Sequence, residues 1–288
     1  MVQVLAVGLA LCSVAATAVA GEPIVRHHVL QSAALGPQNV VLVLPPDYDS
    51  SSTRYPTVLA MAGLGESVRG NKAGAYGWVE KYGVVPAMAA LHRGRLTRAD
   101  FQDLVTDEAL ARYNAALAKE PYRGVILVCP YPPNLNKGIR QLDGYERFWF
   151  DELMPWVDAE FRTTSTWGIG GISLGGLTAT HVGFGNPGKF AAISSQQASV
   201  TRSRPRLVKR AEAHLEALKS TRLNIATSHR DGYRKALTQF HEDLLRIGLP
   251  HRFVILQGAH NKPFVKGPGS LEILLFHDRA LRGSDVLP

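Results

Sequence analysis

Gly171-Ile172-Ser173-Leu174-Gly175-Gly176 is the stretch on which the reading of this chain turns. It is a G-x-S-x-G run, and its flanks give it weight. Thr166–Ile172 is a short apolar run, the pattern of a buried strand, and Leu177–Val182 begins like a helix. A strand that turns sharply into a helix needs residues without a Cβ, because the bent backbone leaves little room for side chains. The bend lifts the serine hydroxyl above the sheet, beside a helix N-terminus whose free N–H groups favour negative charge. The motif predicts a nucleophile elbow with Ser173 at its tip and Gly171 and Gly175 as the residues that permit the turn. The plainer alternative is a surface serine in a glycine-rich turn. A dinucleotide fingerprint fits worse: Gly168 and Gly170 start such a pattern, but Ser173 stands where its last glycine is required.

Working outward, further apolar runs read as buried strands: Val40–Leu44, Pro56–Met61, Val125–Cys129, Phe190–Ser194, Leu223–Ala226 and Phe253–Gln257, with Val29–Gln31 as an edge strand. Helical patterns lie at Phe148–Phe161, Pro205–Lys219, Tyr233–Ile247 (stopped by Gly248) and Leu271–Ala280. Strands alternating with helices imply an α/β fold, a mainly parallel central sheet with helices on both faces. The polar turn Pro46-Asp47-Tyr48-Asp49 suggests an antiparallel hairpin between Val40–Leu44 and Pro56–Met61. From Glu66 to Arg123 no strand is evident, while Thr97 and Thr106 precede helix-like starts with acidic first turns. Residues 66–123 are therefore expected to form a helical insertion at one edge of the sheet, placed to act as a wall or lid, within a single domain spanning 21–288.

A serine hydroxyl attacks only when a base takes its proton. On such an elbow the partners follow in the order acid, then histidine. Leu223–Ala226 leads into Thr227-Ser228-His229-Arg230-Asp231, and Phe253–Gln257 leads into Gly258-Ala259-His260. Asp231 and His260 thus fall past the C-terminal ends of successive strands, on the rim where open α/β sheets bind ligands. The expected roles are His260 as general base and Asp231 as the group that orients it. His229, His251 and His181 are rivals for the base, and Glu242 and Asp243 for the acid. Two N–H groups must hold the developing oxyanion. Leu174, next to the serine, supplies one; Leu64, in the glycine-rich loop Ala62-Gly63-Leu64-Gly65 after an early strand, is expected to supply the other.

Composition narrows the rest. The 288 residues are 45% hydrophobic and 19% charged, which excludes disorder or coiled coil for the whole chain. Two cysteines, Cys12 and Cys129, are too few for a disulfide framework or a cysteine zinc site. Cys129 ends an apolar run and reads as packing. No H-E-x-x-H and no P-loop is present, so no metal and no cofactor is implied. The formal charge is +8 and the densest basic run is Arg202, Arg204, Arg206, Lys209 and Arg210. No nucleic-acid module pattern accompanies it, so no nucleic-acid partner is expected. Residues 1–20 lack charged side chains, carry an apolar run and end in Ala18-Val19-Ala20, the pattern of a cleavable signal peptide. A secreted or periplasmic protein, with no later membrane span, is the expectation.

With these residues placed, the chain resembles the esterase D or feruloyl esterase-like branch of the α/β-hydrolase superfamily, related to S-formylglutathione hydrolases, enterochelin esterases and secreted mycolyltransferases. The resemblance rests on Phe150-Asp151-Glu152-Leu153-Met154-Pro155-Trp156-Val157 before the elbow strand, on the elbow itself, on Asn186-Pro187-Gly188-Lys189-Phe190, and on Gly258-Ala259-His260. It implies the α/β-hydrolase fold and cleavage of a small-molecule or polysaccharide-linked carboxylic ester through an acyl-enzyme. An acyltransferase with a hydroxyl acceptor, or a binding protein on the same fold, are the alternatives. The chain departs from the family at Met61-Ala62-Gly63, where His-Gly is usual, and at Asn261-Lys262, where Asp-Trp is usual. The substrate pockets therefore do not transfer.

Overall fold

The computed structural model describes residues 21–288. Eight strands form one sheet: β1 (Ile24–Ser32), β2 (Gly36–Leu44), β3 (Tyr55–Met61), β4 (Ile126–Pro130), β5 (Thr163–Ile172), β6 (Ala192–Gln196), β7 (Arg222–Arg230) and β8 (Arg252–Ala259). Their order across the sheet is β1-β2-β4-β3-β5-β6-β7-β8. β1 and β2 form an antiparallel hairpin, and β2 pairs antiparallel with β4; every later pairing is parallel. Each apolar run read above as a strand overlaps one, and the mixed α/β architecture is as expected.

The expected hairpin between β2 and β3 does not form. β4 lies between them, with Leu42 opposite Val128 on one side and Leu59 opposite Val128 on the other. The reason is burial: every residue of β3 is buried. A strand apolar on both faces belongs inside a sheet, with parallel neighbours on both edges and helices above and below. The turn after β2 therefore carries the chain across the end of β4 rather than straight back.

The segment after β3 is helical, as expected, and it packs across one face of the sheet rather than only along its edge. Its longer helices, Val84–His92 and Asp107–Lys119, begin at Gly83 and at Thr106, whose hydroxyl caps the Ala109 N–H at 3.1 Å. Val84, Met88, Leu91, Phe101 and Tyr113 pack on Val41, Val58 and Leu127 of the sheet, with Leu271 and Leu274 from the helix Ser270–Ala280 beside them. These residues form one of the two core layers. The other layer joins Trp149, Val157, Val182, Phe184 and Phe240 to the opposite face. Cys129 is wholly buried in the first layer, and burial pushes its thiol well up, as suits a packing residue.

β5 carries glycines for a packing reason. A Cβ at Gly168 or Gly170 would stand 2.6 or 2.7 Å from the imidazole of His277. The C-terminal helix approaches the sheet this closely only because those side chains are missing.

Candidate active site

Ser173 stands where β5 ends and the helix Leu174–Gly185 begins. Its φ is 58° and its ψ −119°, a conformation that L-residues rarely adopt. Gly175 makes the bend possible: a Cβ there would lie 2.1 Å from the Met61 carbonyl oxygen. A Cβ on Gly171 would likewise lie 2.4 Å from the Gly175 carbonyl. The serine's N–H donates to the Gln196 carbonyl at 2.9 Å, which pins the turn to the end of β6. Its hydroxyl is not spent on capping the helix it precedes.

Asp231 follows β7, and its side chain is wholly buried. One carboxylate oxygen accepts the Tyr233 N–H at 3.0 Å and lies 3.0 Å from His260 Nδ1; the other accepts the Thr227 hydroxyl at 2.8 Å. With all these donors engaged, the carboxylate has one orientation. His260 follows β8, with about a third of its side chain exposed (32%), and Tyr233 meets its ring edge-on at 5.4 Å. Nδ1 facing a carboxylate is a hydrogen-bond donor, which leaves Nε2 as the accepting nitrogen. The Ser173 hydroxyl forms no hydrogen bond to His260 among the described residues. Such contacts are often long before substrate binds.

The rival residues stand apart from this pair. His251 sits at the start of β8 and bonds to His241 at 2.7 Å and to the Leu249 carbonyl. His229 lies at the end of β7 in a separate cleft with Phe101 and Arg252. His181 is buried on the elbow helix, and burial with the nearby Arg210 and Arg206 lowers its pKa to about 4. Asp243 pairs with Arg204 and Arg246.

Leu174 and Leu64 each open a helix, so their N–H groups have no acceptor within it. The two openings are neighbours: a Cβ on Gly63 would stand 3.6 Å from the Ser173 Cβ. A buried relay that sequence reading did not find holds the Leu64 loop. The Gly63 N–H donates to the Tyr82 hydroxyl at 2.9 Å, and that hydroxyl donates to the Glu66 carboxylate. Glu66 is 6% exposed. Burial first, and the Glu66 charge second, push the Tyr82 phenol far above its ordinary range. Nothing local in the sequence marks this pair, since the two side chains meet only through the packing of short helices. Among the described residues no three His, Cys, Asp or Glu side chains gather as metal ligands.

The family model named Esterase matches residues 134–240. A search of curated proteins finds no match. Among solved structures, a ferulic acid esterase is 19% identical with a TM-score of 0.69, over 91% of this chain and 99% of that one. The S-formylglutathione hydrolase of Staphylococcus aureus is 16% identical with a TM-score of 0.60, over 90% and 98%. A ferulic acid esterase of Anaeromyces mucronatus, solved with ferulic acid, is 16% identical with a TM-score of 0.58, over 86% and 88%. Residues 134–240 of this chain thus match the esterase family model, and over the described residues the fold is the α/β-hydrolase fold of these solved structures.

Proposed function

We propose that the protein is a serine esterase that cleaves carboxylic esters through an acyl-enzyme. The observation that carries this reading is the Asp231–His260 pair at 3.0 Å on the same sheet edge as a serine in elbow conformation. Ser173 Oγ attacks the ester carbonyl as His260 Nε2 takes its proton. The tetrahedral oxyanion is held by the N–H groups of Leu64 and Leu174. His260 then gives the proton to the leaving alcohol, and the acyl group remains on Ser173. Water, deprotonated by the same imidazole, attacks the acyl-enzyme and releases the acid. Asp231 keeps His260 in the tautomer that accepts at Nε2 and stabilises the imidazolium between steps.

Export belongs to the same proposal. It rests on the apolar run and Ala18-Val19-Ala20 within residues 1–20, which lie outside the described residues. Among the described residues no helix is long and apolar enough to cross a membrane. N-terminal sequencing of protein recovered from outside the cytoplasm should begin at Gly21.

The test of catalysis is hydrolysis of 4-nitrophenyl acetate and butyrate by the purified protein and by Ser173→Ala. The variant should lose on the order of 10⁴–10⁶ in kcat, as removal of the nucleophile does in other serine hydrolases. It should also fail to take a fluorophosphonate label. A variant within tenfold of the parent would sink the assignment of Ser173.

A further inference from the structure

The basic run that stands out in the sequence lines a cleft beside the elbow. The cleft encloses about 790 Å³. It is lined by Leu174, Leu177 and His181 of the elbow helix, by Arg202 and Arg206 around the start of the helix Arg204–Ala213, and by Ile139. Tyr233, whose ring touches His260, closes the end nearest the histidine.

Three observations give the cleft a charge preference. No carboxylate lines it. Arg204, of the same run, is neutralised by Asp243 at 2.7 Å, whereas Arg202 and Arg206 form no ion pair among the described residues. The helix N-terminus adds a favourable partial charge in the same place. The near part of the cleft is apolar, at Leu174 and Leu177, and the far part is cationic. Residues 174, 177 and 181 fall on one helical face, and at a rise of 1.5 Å per residue His181 lies roughly 10 Å along the helix from Leu174, with Arg206 near enough to act on its ring.

We propose that the natural substrate is an ester of an amphipathic organic anion, with an apolar stretch next to the scissile carbonyl and a carboxylate or similar anionic group further along the cleft on Arg202 and Arg206. This rests on the esterase reading and names its substrate class.

The experiment compares kcat/KM for matched esters: mono-4-nitrophenyl suberate against 4-nitrophenyl octanoate for an acyl-side anion, and 4-carboxyphenyl against phenyl octanoate for an alcohol-side one. In one arm the anionic ester should be preferred by about tenfold or more, the effect expected of hydrogen bonds to charged groups. The preference should collapse towards unity in R202Q/R206Q, persist in R204Q, and weaken as salt is raised. Binding of suberate followed by calorimetry reads the cleft without catalysis, and should be lost in R202Q/R206Q. Equal use of neutral and anionic esters in both arms, or a preference that survives R202Q/R206Q, overturns the inference while the esterase reading stands. Failure of Ser173 to label or turn over any ester, with suberate still bound through the arginines, overturns the esterase reading and leaves an anion-binding cleft.

Discussion

The phenol oxygen of Tyr82 accepts the Gly63 N–H at 2.9 Å and passes its own proton towards the buried Glu66. Gly63 caps the short helix that Leu64 opens, so the direction of the Leu64 N–H depends on this contact. Tyr82→Phe removes the acceptor and leaves Glu66 buried without its donor. That costs about 1–3 kcal/mol of stability. A loosened oxyanion donor should lower kcat by roughly tenfold or more. Because the contact acts on the transition state, KM should change little. Steady-state kinetics beside a thermal melt check both effects; a fall in melting temperature with kcat intact would reduce Tyr82 to a structural role.

Asp231 is held by Thr227 and by the Tyr233 N–H, and His260 is held by Asp231. Asp231→Asn keeps the shape and presents a donor where an acceptor is needed, which favours the wrong imidazole tautomer. A loss of about 10⁴ in kcat is expected. Thr227→Val removes one hydrogen bond to the carboxylate and should cost less, about tenfold. Parallel kcat and KM measurements on the two variants test the ranking.

Ser173 sits at φ 58°, which costs a residue with a Cβ of order 1–3 kcal/mol. Ser173→Gly relieves that strain, partly offset by the greater freedom of glycine when unfolded. Both Ser173→Gly and Ser173→Ala should be inactive. The glycine variant should melt about 2–4 °C above the alanine variant, as roughly 1 kcal/mol does in a chain of this size. Calorimetric scans of the two proteins decide it.

His277 is fully buried against Gly168 and Gly170, with neither ring nitrogen bonded. Burial lowers its pKa from 6.5 to about 3. Below pH 6.5 the unfolded chain takes up a proton that the native protein refuses, so stability is full above that pH and is lost as pH falls towards 3. His181, lowered to about 4, acts in the same direction. At pH 5 the share from His277 is about 2 kcal/mol. Urea unfolding at pH 7.5 and pH 5 should show this loss in the parent and a shallower loss in His277→Leu. The comparison uses the pH slope, which is separate from any packing change the substitution brings.

Much of this protein was legible in the residues themselves. Apolar runs marked the strands, most sharply β3 and β4, because a strand buried on both faces must be apolar at each position. The elbow glycines marked the turn, because no residue with a Cβ fits beside the Met61 carbonyl. Asp231 and His260 were found together, because the C-terminal ends of parallel strands share one edge. What local pattern does not encode is which distant segments become neighbours. The insertion of β4 between β2 and β3 followed from the need to bury both edges of β3, and the helices of 66–123 became a core layer by sharing that face of the sheet with the helix Ser270–Ala280. The Tyr82–Glu66 relay and the cleft between Leu177 and Arg206 exist only where separate helices meet. Sequence determined the elements and the chemistry of their ends; tertiary packing decided which side chains those ends face.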